Sequence, residues 1–424
     1  MSASKRIAVI GGGWAGMAAA VELARCSANQ ITVLEASAQW GGRARGLPLR
    51  MPNGDTVVVD NGQHILIGAY TACRALMQQV GVESDAAFTK LPLSMRYPDG
   101  SGIQFPDMPQ PWDALIGIAR AKGWSLAERA QLLARAARWR LQGFQCGAST
   151  TVADLCAGLP ARLLQEFFDP LCISALNTPI SQSSGQVFLR VLQDSLFAAA
   201  KGSQFWLPWV DLGSIFPTAA ADWLTQRGHN CQTSRRVQQL QLADKGWLLD
   251  GEHFDAVLLA APAWEAARLL QPHNPAWAAT ASGLQHTAIA TVYAWKADAH
   301  LPAPLLALRN SAGSPAQFVF DRGQLGGPAG LLAFVISTSS GSRADIESQV
   351  IAQAQQQLGL ALQPLQTVVE KRATFACTPA LKRPPMAAAP ALQVCGDYIE
   401  GPYPATLEGA VRSGIAAAQA LLNK

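Results

Sequence analysis

Charge is what this chain has least of. Only 15% of its 424 residues are Asp, Glu, Lys or Arg, against about 25% in an average soluble domain. Hydrophobic residues make up 49%, which is ordinary, so the chain is charge-poor rather than greasy. Disorder driven by low hydrophobicity and high charge is excluded. A net charge of only +4 argues against a nucleic-acid binder, which carries a strongly basic face. The eight cysteines, at 26, 73, 146, 156, 172, 231, 377 and 395, include no CxxC pair. No zinc ribbon or thioredoxin-type site is therefore visible, and reduced, buried thiols in a reducing cytoplasm are expected. The six histidines form no HxxxH pair, and no metal is expected. No stretch supplies about 20 mostly apolar residues, so no transmembrane span is expected. The apolar start from Ile7 to Val21 is broken by three consecutive glycines, Gly11 to Gly13, and lacks the continuous apolar core of a signal peptide.

Those glycines are the first positive signal. Lys5 to Ile10 is an apolar run that suits a buried strand. Gly11-Gly12-Gly13-Trp14-Ala15-Gly16 follows, which is GxGxxG on Gly11, Gly13 and Gly16, and an Ala-rich helix is expected from Met17 to Ala24. Gly11 permits a tight turn, Gly13 lets backbone approach a pyrophosphate, and Gly16 lets helix and strand pack closely. The helix N-terminus, entered through Trp14 and Ala15, presents free N–H groups and a partial positive charge to phosphate. A second strand, Ile31 to Leu34, ends in Glu35 and Ala36. A carboxylate at that offset suits a ribose 2′-OH. Strand, glycines, helix, strand and acid in this order predict dinucleotide binding. Gly41-Gly42-Arg43 comes next. It reads either as a second phosphate-facing turn, with Arg43 on the diphosphate, or as a surface turn with a solvated arginine.

Val57 to Asp60 then leads into Asn61-Gly62-Gln63-His64. GxGxxG, an acid ending the second strand, GGR and a D-x-G-x-H-like turn together resemble the flavin-dependent amine oxidase and phytoene desaturase superfamily. That resemblance implies FAD, with Gly62, Gln63 and His64 beside the isoalloxazine. Later segments fit the same family. Arg235 to Leu240 looks like a short strand whose Val237 would meet adenine through its backbone. Phe254 to Ala261 looks like an apolar strand stopped by Pro262, with Ala261 in the site. Leu392 to Cys395 looks like a strand followed by Gly396-Asp397, the aspartate binding ribityl or diphosphate. Thr406 and Leu407 open a helix, Leu407 to Leu422, whose N-terminal dipole would face the flavin.

The implied fold is α/β. A Rossmann-type FAD-binding domain is built from 1–80, 205–270 and 388–424. A discontinuous substrate domain, 81–204 and 271–387, has a mixed sheet and a helical part, with strands at Ala288 to Trp295 and Leu331 to Ser337 and helices over 112–200. Within the superfamily, Phe168-Asp169-Pro170-Leu171-Cys172-Ile173-Ser174-Ala175-Leu176-Asn177-Thr178 and Glu370-Lys371-Arg372-Ala373-Thr374-Phe375 resemble the hydroxysqualene dehydroxylases, the squalene-associated FAD-dependent desaturases of hopanoid synthesis. This implies reductive removal of an allylic hydroxyl from a long apolar isoprenoid. An external electron donor is expected, since no second GxGxxG follows a strand.

Such chemistry needs a donor that lets the hydroxyl leave as water. It also needs an apolar pocket with aromatic faces for cationic character, and hydride from N5 held at reacting distance. His64 is the best-placed titratable donor, though it serves equally well as a residue holding its own turn. Tyr403, just before the last helix, is the other catalytic candidate. Trp206 and Trp209 are aromatic candidates whose alternative is ordinary core. Amine oxidases of this superfamily carry a lysine inside a central substrate-domain strand. Ile289 to Trp295 has none, and Lys296 falls at its end. The competing functions are a carotenoid-type desaturase or amine oxidase, and a non-enzymatic prenyl-binding escort.

The excess charge is local. Segment 112–145 holds Arg120, Lys122, Arg129, Arg135, Arg138 and Arg140 against Asp113 and Glu128. That surplus equals the whole chain's, so the rest is formally neutral. Leu126, Leu132, Leu133, Trp139 and Leu141 interleave with the arginines. A basic helix with Leu and Trp suits a membrane surface. A solvated helix with Arg stems packed on the protein is the alternative. The expected location is cytoplasmic, peripheral on the inner face of the cell membrane.

Overall fold

The protein is described by a computed structural model covering residues 4–198 and 201–423. Residues 199–200, at the end of the expected helical stretch, lie outside it. In chain order, β1 (Arg6–Ile10), α1 (Trp14–Cys26) and β2 (Gln30–Leu34) form the opening unit. α2 (Trp112–Ala119), α3 (Leu126–Leu141) and α4 (Asp169–Leu176) belong to a helical region. β3 (Asn230–Gln232) and β4 (Ala256–Leu259) return to the first sheet. β5 (His286–Trp295), β6 (Leu305–Ala307), β7 (Phe318–Asp321), β8 (Leu331–Ser337), α5 (Arg343–Leu358) and β9 (Gln363–Phe375) make a second layer. β10 (Ala387–Ala389), β11 (Leu392–Val394) and α6 (Leu407–Leu422) close the chain.

The first sheet has the order β3-β2-β1-β4-β11-β10 and is parallel except for the β10–β11 pair. Its central strands are apolar on both sides: Ile7, Ala8, Val9 and Ile10 are all buried, as a sheet covered on both faces requires. α1 is buried from Trp14 to Leu23, because α6 lies across it. Gly414 of α6 makes that crossing possible, since a Cβ there would come within 2.2 Å of the Ala15 carbonyl.

The second sheet is antiparallel, in the order β6-β7-β8-β5-β9. Alternation gives it two apolar faces. Ala290, Val292, Ala294, Phe334 and Ile336 pack against Ile346, Val350 and Ala354 of α5. Tyr293, Ala333, Phe318 and Phe320 face the main core, shared with Phe168, Leu176 and Phe188 of the helical region.

Three expected elements differ. Arg235 to Leu240 is mostly loop, and only Leu240–Leu242 is strand. The Gln238 and Gln239 N–H groups, which a ladder would use, donate to the Asp250 carboxylate instead. Phe254 to Ala261 splits into a hairpin strand, Glu252–Phe254, and β4. The break falls at Asp255, whose N–H switches to the Arg6 carbonyl of the first sheet. Segment 112–145 is two helices. Gly123 turns the chain at φ +84°, Trp124 is buried, and Ser125 with Glu128 forms a capping box that starts α3.

Candidate functional site

All the expected cofactor residues of the first sheet lie where strands end. Gly11 follows β1, Glu35 follows β2, Ala261 lies just beyond β4, and Gly396-Asp397 lies just beyond β11. The carboxyl edge of an open parallel sheet is where such folds bind ligands. Gly11 sits at φ +113°, and a Cβ on it would be 2.6 Å from the Ala260 carbonyl. A Cβ on Gly16 would be 1.9 Å from the Gly11 carbonyl. Gly13 differs, because a Cβ there would meet nothing closer than Gly41 and Gly42 at 3.8 Å. It opens a backbone-lined cradle between the two glycine turns. α1 starts on Gly13 without any side-chain cap, so its first N–H groups, Trp14 and Ala15 among them, are free for an anion. This uncapped helix over an open glycine cradle fits a dinucleotide diphosphate.

Glu35 is buried. Its two oxygens accept from Gly12 N–H at 2.6 Å and Ser37 N–H at 2.7 Å. Each carboxylate oxygen keeps a lone pair for a ribose hydroxyl, while Ala36 beside it is exposed. Val237 is buried in the loop that Asp250 holds, and the Arg235 N–H anchors this loop to the Glu35 carbonyl at 2.8 Å.

Arg43 and Asp397, 354 positions apart, form an ion pair at 2.5 Å. Arg43 also donates to the Ala373 carbonyl of β9 at 2.7 Å, tying the two sheets together. The surface-turn alternative for Arg43 does not hold. Asn61 links the two turns: its amide donates to the Arg43 carbonyl at 2.9 Å and accepts from Arg45 N–H at 3.0 Å. Thr406 caps α6 by accepting from Gly409 N–H at 2.9 Å, with Leu407 as the first helical residue.

The Asp60–His64 turn is the strongest polar cluster. Asp60 Oδ1 accepts from Gly62 N–H at 2.9 Å, His64 N–H at 3.3 Å and His64 Nδ1 at 2.5 Å. Asp60 Oδ2 accepts from Leu212 N–H at 3.1 Å. Burial opposes the Asp60 charge, but His64 and these N–H groups outweigh it and hold the carboxyl below its usual range. Burial likewise opposes charge on His64, and the Asp60 carboxylate outweighs it, holding the imidazole above its ordinary value. With Nδ1 occupied, Nε2 is the ring's remaining donor. The structure shows the turn-holding role of His64 through Nδ1, and Nε2 makes no hydrogen bond among the described residues.

Sequence reasoning missed two neighbours. Tyr293 of β5 donates its hydroxyl to the Asp60 carbonyl at 2.5 Å. Arg322 is buried, and among the described residues its guanidinium donates only to Gln63 Oε1 at 3.4 Å and to the carbonyls of Pro208 and Trp209 at 3.2 and 3.0 Å. Neither lies near a local motif. Gln63 itself is held at φ +48°, with its amide nitrogen buried and unpartnered among the described residues.

Other candidates are placed elsewhere. Tyr403 is clamped between the Arg190 and Arg412 guanidiniums, each 5.1 Å from its ring centre, and accepts from Arg190 at 3.0 Å. It adjoins a cavity of about 400 Å³ lined by Gln186, Arg190, Arg383 and Pro404. Trp206 has Arg74 and Lys90 at 4.9 and 4.2 Å from its ring, so cations of the protein already occupy it. Trp209 is 45% exposed and bonds Thr89. Phe318, Phe320 and Tyr293, on one face of the second sheet, are buried in the main core. In the Phe168–Thr178 segment, Asn177 ends α4 at φ +45°. Asn177 donates to Thr287 and Thr374 at 2.9 Å each and accepts from Thr338 N–H at 2.7 Å, docking the helical region on β5, β8 and β9.

The pattern of the family described as flavin containing amine oxidoreductase matches residues 14–422. The chain belongs to that family. It is an FAD-dependent oxidoreductase of the mixed α/β fold. It is similar to the hydroxysqualene dehydroxylase of Zymomonas mobilis, at 25% identity over 98% of both chains. The hydroxysqualene dehydroxylase of Rhodopseudomonas palustris is 26% identical over 99% of both. Among solved structures, cyclohexylamine oxidase from Brevibacterium oxydans superposes with a TM-score of 0.70 at 16% identity, over 99% of both chains, which speaks for the fold alone. The oxidoreductase's β5 ends at Trp295, and Lys296 beyond it pairs with Asp298, so no lysine stands within that strand. Among the described residues no group of His, Cys, Asp or Glu could hold a metal ion, and no helix is long and apolar enough to cross a membrane.

Proposed function

We propose that this flavoprotein removes the allylic hydroxyl of hydroxysqualene reductively, releasing squalene and water. The observation that carries the proposal is likeness along 98–99% of both chains to hydroxysqualene dehydroxylases. The absence of a lysine within β5 supports it over amine oxidation. The domain division expected from the sequence, 1–80, 205–270 and 388–424 against 81–204 and 271–387, is part of the proposal.

Gly11, Gly13, Trp14, Ala15 and Gly16 would hold the diphosphate. Glu35 would hold the ribose and Val237 the adenine, Gly42 and Arg43 would join the diphosphate site, Gly396 and Asp397 would bind ribityl or diphosphate, Ala261 would border the site, and Thr406 and Leu407 would open the helix that faces the flavin. Bound FAD, reduced by an external donor, supplies the hydride. The chain supplies proton, position and apolar surroundings. Asp60 favours the protonated form of His64 over burial and occupies Nδ1, and we assign Nε2–H the donation that lets the hydroxyl leave as water. Tyr293 steadies the Asp60 backbone behind it. The balance is one hydride and one proton taken up, one C–O bond broken, one C–H bond formed and one water released.

The test is an anaerobic reaction of photoreduced holoenzyme with hydroxysqualene, following flavin reoxidation and squalene together. One squalene per flavin reoxidised is expected. Turnover of a polyene precursor with an oxidant instead would favour the carotenoid-type desaturase. A purified protein that takes up no FAD would revive the escort alternative. A substrate of this kind dissolves in lipid, and peripheral contact with the inner face of the cell membrane belongs to the same proposal.

A further inference from the structure

The solvent-facing side of α3 is apolar. Leu126, Ala130, Ala134, Ala137 and Leu141 follow one another at spacings of four, four, three and four, and all are exposed, Leu126 by 80% and Leu141 by 90%. Those spacings place them along one stripe of a helix. The opposite side is already used, with Leu132 and Trp139 buried in the core. α2 repeats the pattern, with Trp112, Leu115 and Ala119 all exposed, Trp112 by 59%. The helices adjoin, because the Arg129 guanidinium donates to the carbonyls of Ala119 and Ala121 at 2.6 and 2.8 Å. A soluble helix normally turns charge to water. Here both helices turn leucine, alanine and tryptophan to it.

The cations around these stripes divide into two sets. Arg129 and Arg135 are bound to backbone carbonyls, Arg135 to those of Leu155 and Ala157. They are structural, so the expectation that all four arginines from 129 to 140 meet a membrane is corrected, as is the placing of Leu132 and Trp139 on its outer face. Arg120, Lys122, Arg138 and Arg140 are exposed and form no ion pair with a carboxylate among the described residues.

We infer that α2 and α3 together form a docking surface for anionic lipid, with the apolar stripes in the acyl boundary and these four cations on the headgroups. Charge decides the occupant. A two-fold contact with a second copy would bring this patch onto itself, and the cations would meet like charge. An anionic bilayer neutralises them and covers the stripes at once. The inference deepens the proposed function by naming where the protein meets its substrate's solvent, and it rests on that reading only for its purpose.

The experiment is sedimentation of the holoenzyme with vesicles of phosphatidylglycerol in phosphatidylcholine, and of phosphatidylcholine alone, at low and high salt. Wild type is expected on the anionic vesicles, less so at high salt. Two variants are compared: Trp112→Ser, Leu115→Ser, Leu126→Ser and Leu141→Ser together, and Arg120→Gln, Lys122→Gln, Arg138→Gln and Arg140→Gln together. All eight positions are exposed, so unchanged flavin absorbance and Tm are expected. Each variant should lose about a hundredfold in partitioning, given about tenfold or less per cation or large apolar side chain at the surface. Wild type that stays in the supernatant, or variants that sediment like wild type, overturns the inference, as does a dimer in ultracentrifugation that only these substitutions dissolve. Turnover of detergent-dispersed hydroxysqualene separates the two proposals. If wild type sediments but yields no squalene, the reaction is wrong and the surface stands. If detergent turnover is intact but vesicle binding is absent, the reverse holds.

Discussion

Replacing Asp60 with asparagine isolates the most loaded side chain of the site. Its two oxygens receive four hydrogen bonds, three on Oδ1 and one on Oδ2. Asparagine keeps one acceptor oxygen. If that oxygen faces Gly62 and His64, its NH2 faces the Leu212 N–H, and a buried donor is stranded at about 1–3 kcal/mol. The His64 cation also loses its counter-charge, and breaking one side of a buried pair costs about 3–5 kcal/mol. These terms overlap, because a neutralised His64 escapes part of the second. About 3–5 kcal/mol in total is expected at mildly acidic pH, a large share of a typical domain's stability.

The pH dependence carries the sharper test. His64 is raised above 6.5 in the folded state, so its contribution is whole below 6.5 and is lost as pH rises through the folded value. Asp60 is lowered below 3.8, so its contribution is whole above 3.8 and is lost as pH falls through the folded value. The difference between wild type and Asp60→Asn should therefore be greatest between those two values and shrink on the alkaline side. Urea unfolding of both proteins at about pH 6 and about pH 9 measures it. A difference that is equal at the two pH values, or larger at the alkaline one, would refute a His64 cation maintained by Asp60, and with it the proton donor assigned above.

Gly16→Ala should abolish flavin binding, seen as loss of the yellow absorbance after purification. Its Cβ would lie 1.9 Å from the Gly11 carbonyl, and relief must move the turn that forms the cradle, at about 1–3 kcal/mol or more. Asn177→Ala removes three bonds that join the helical region to the second sheet and should lower stability by about 2–3 kcal/mol, read by urea titration. All eight cysteines are free, so dithiothreitol should leave Tm within about 1 °C, whereas loss of a disulfide would cost about 2–5 kcal/mol.

The sequence by itself determined the parts of the fold that are local. Gly11, Gly13 and Gly16 had to mark a strand-to-helix turn, because that backbone excludes a Cβ at two of the three. Glu35 at the end of an apolar strand had to meet what lies above the turn. The bounds of β8 and α6 were legible for the same reason, as clean runs between Gly, Pro and Thr punctuation. Contacts between distant segments were not. Nothing in the neighbourhood of Arg43 announces Asp397, and no motif surrounds Tyr293 or Arg322, yet folding brings them to one place. Arg235 to Leu240 has strand composition, but Asp250 withdraws the amides a ladder would need. Segment 112–145 displayed its charge and its leucines in sequence, but not which of them faced water. Only the tertiary structure decided that Trp139 goes inward and Leu126 and Leu141 outward, because the core claims one side of α3 and leaves the other to the solvent.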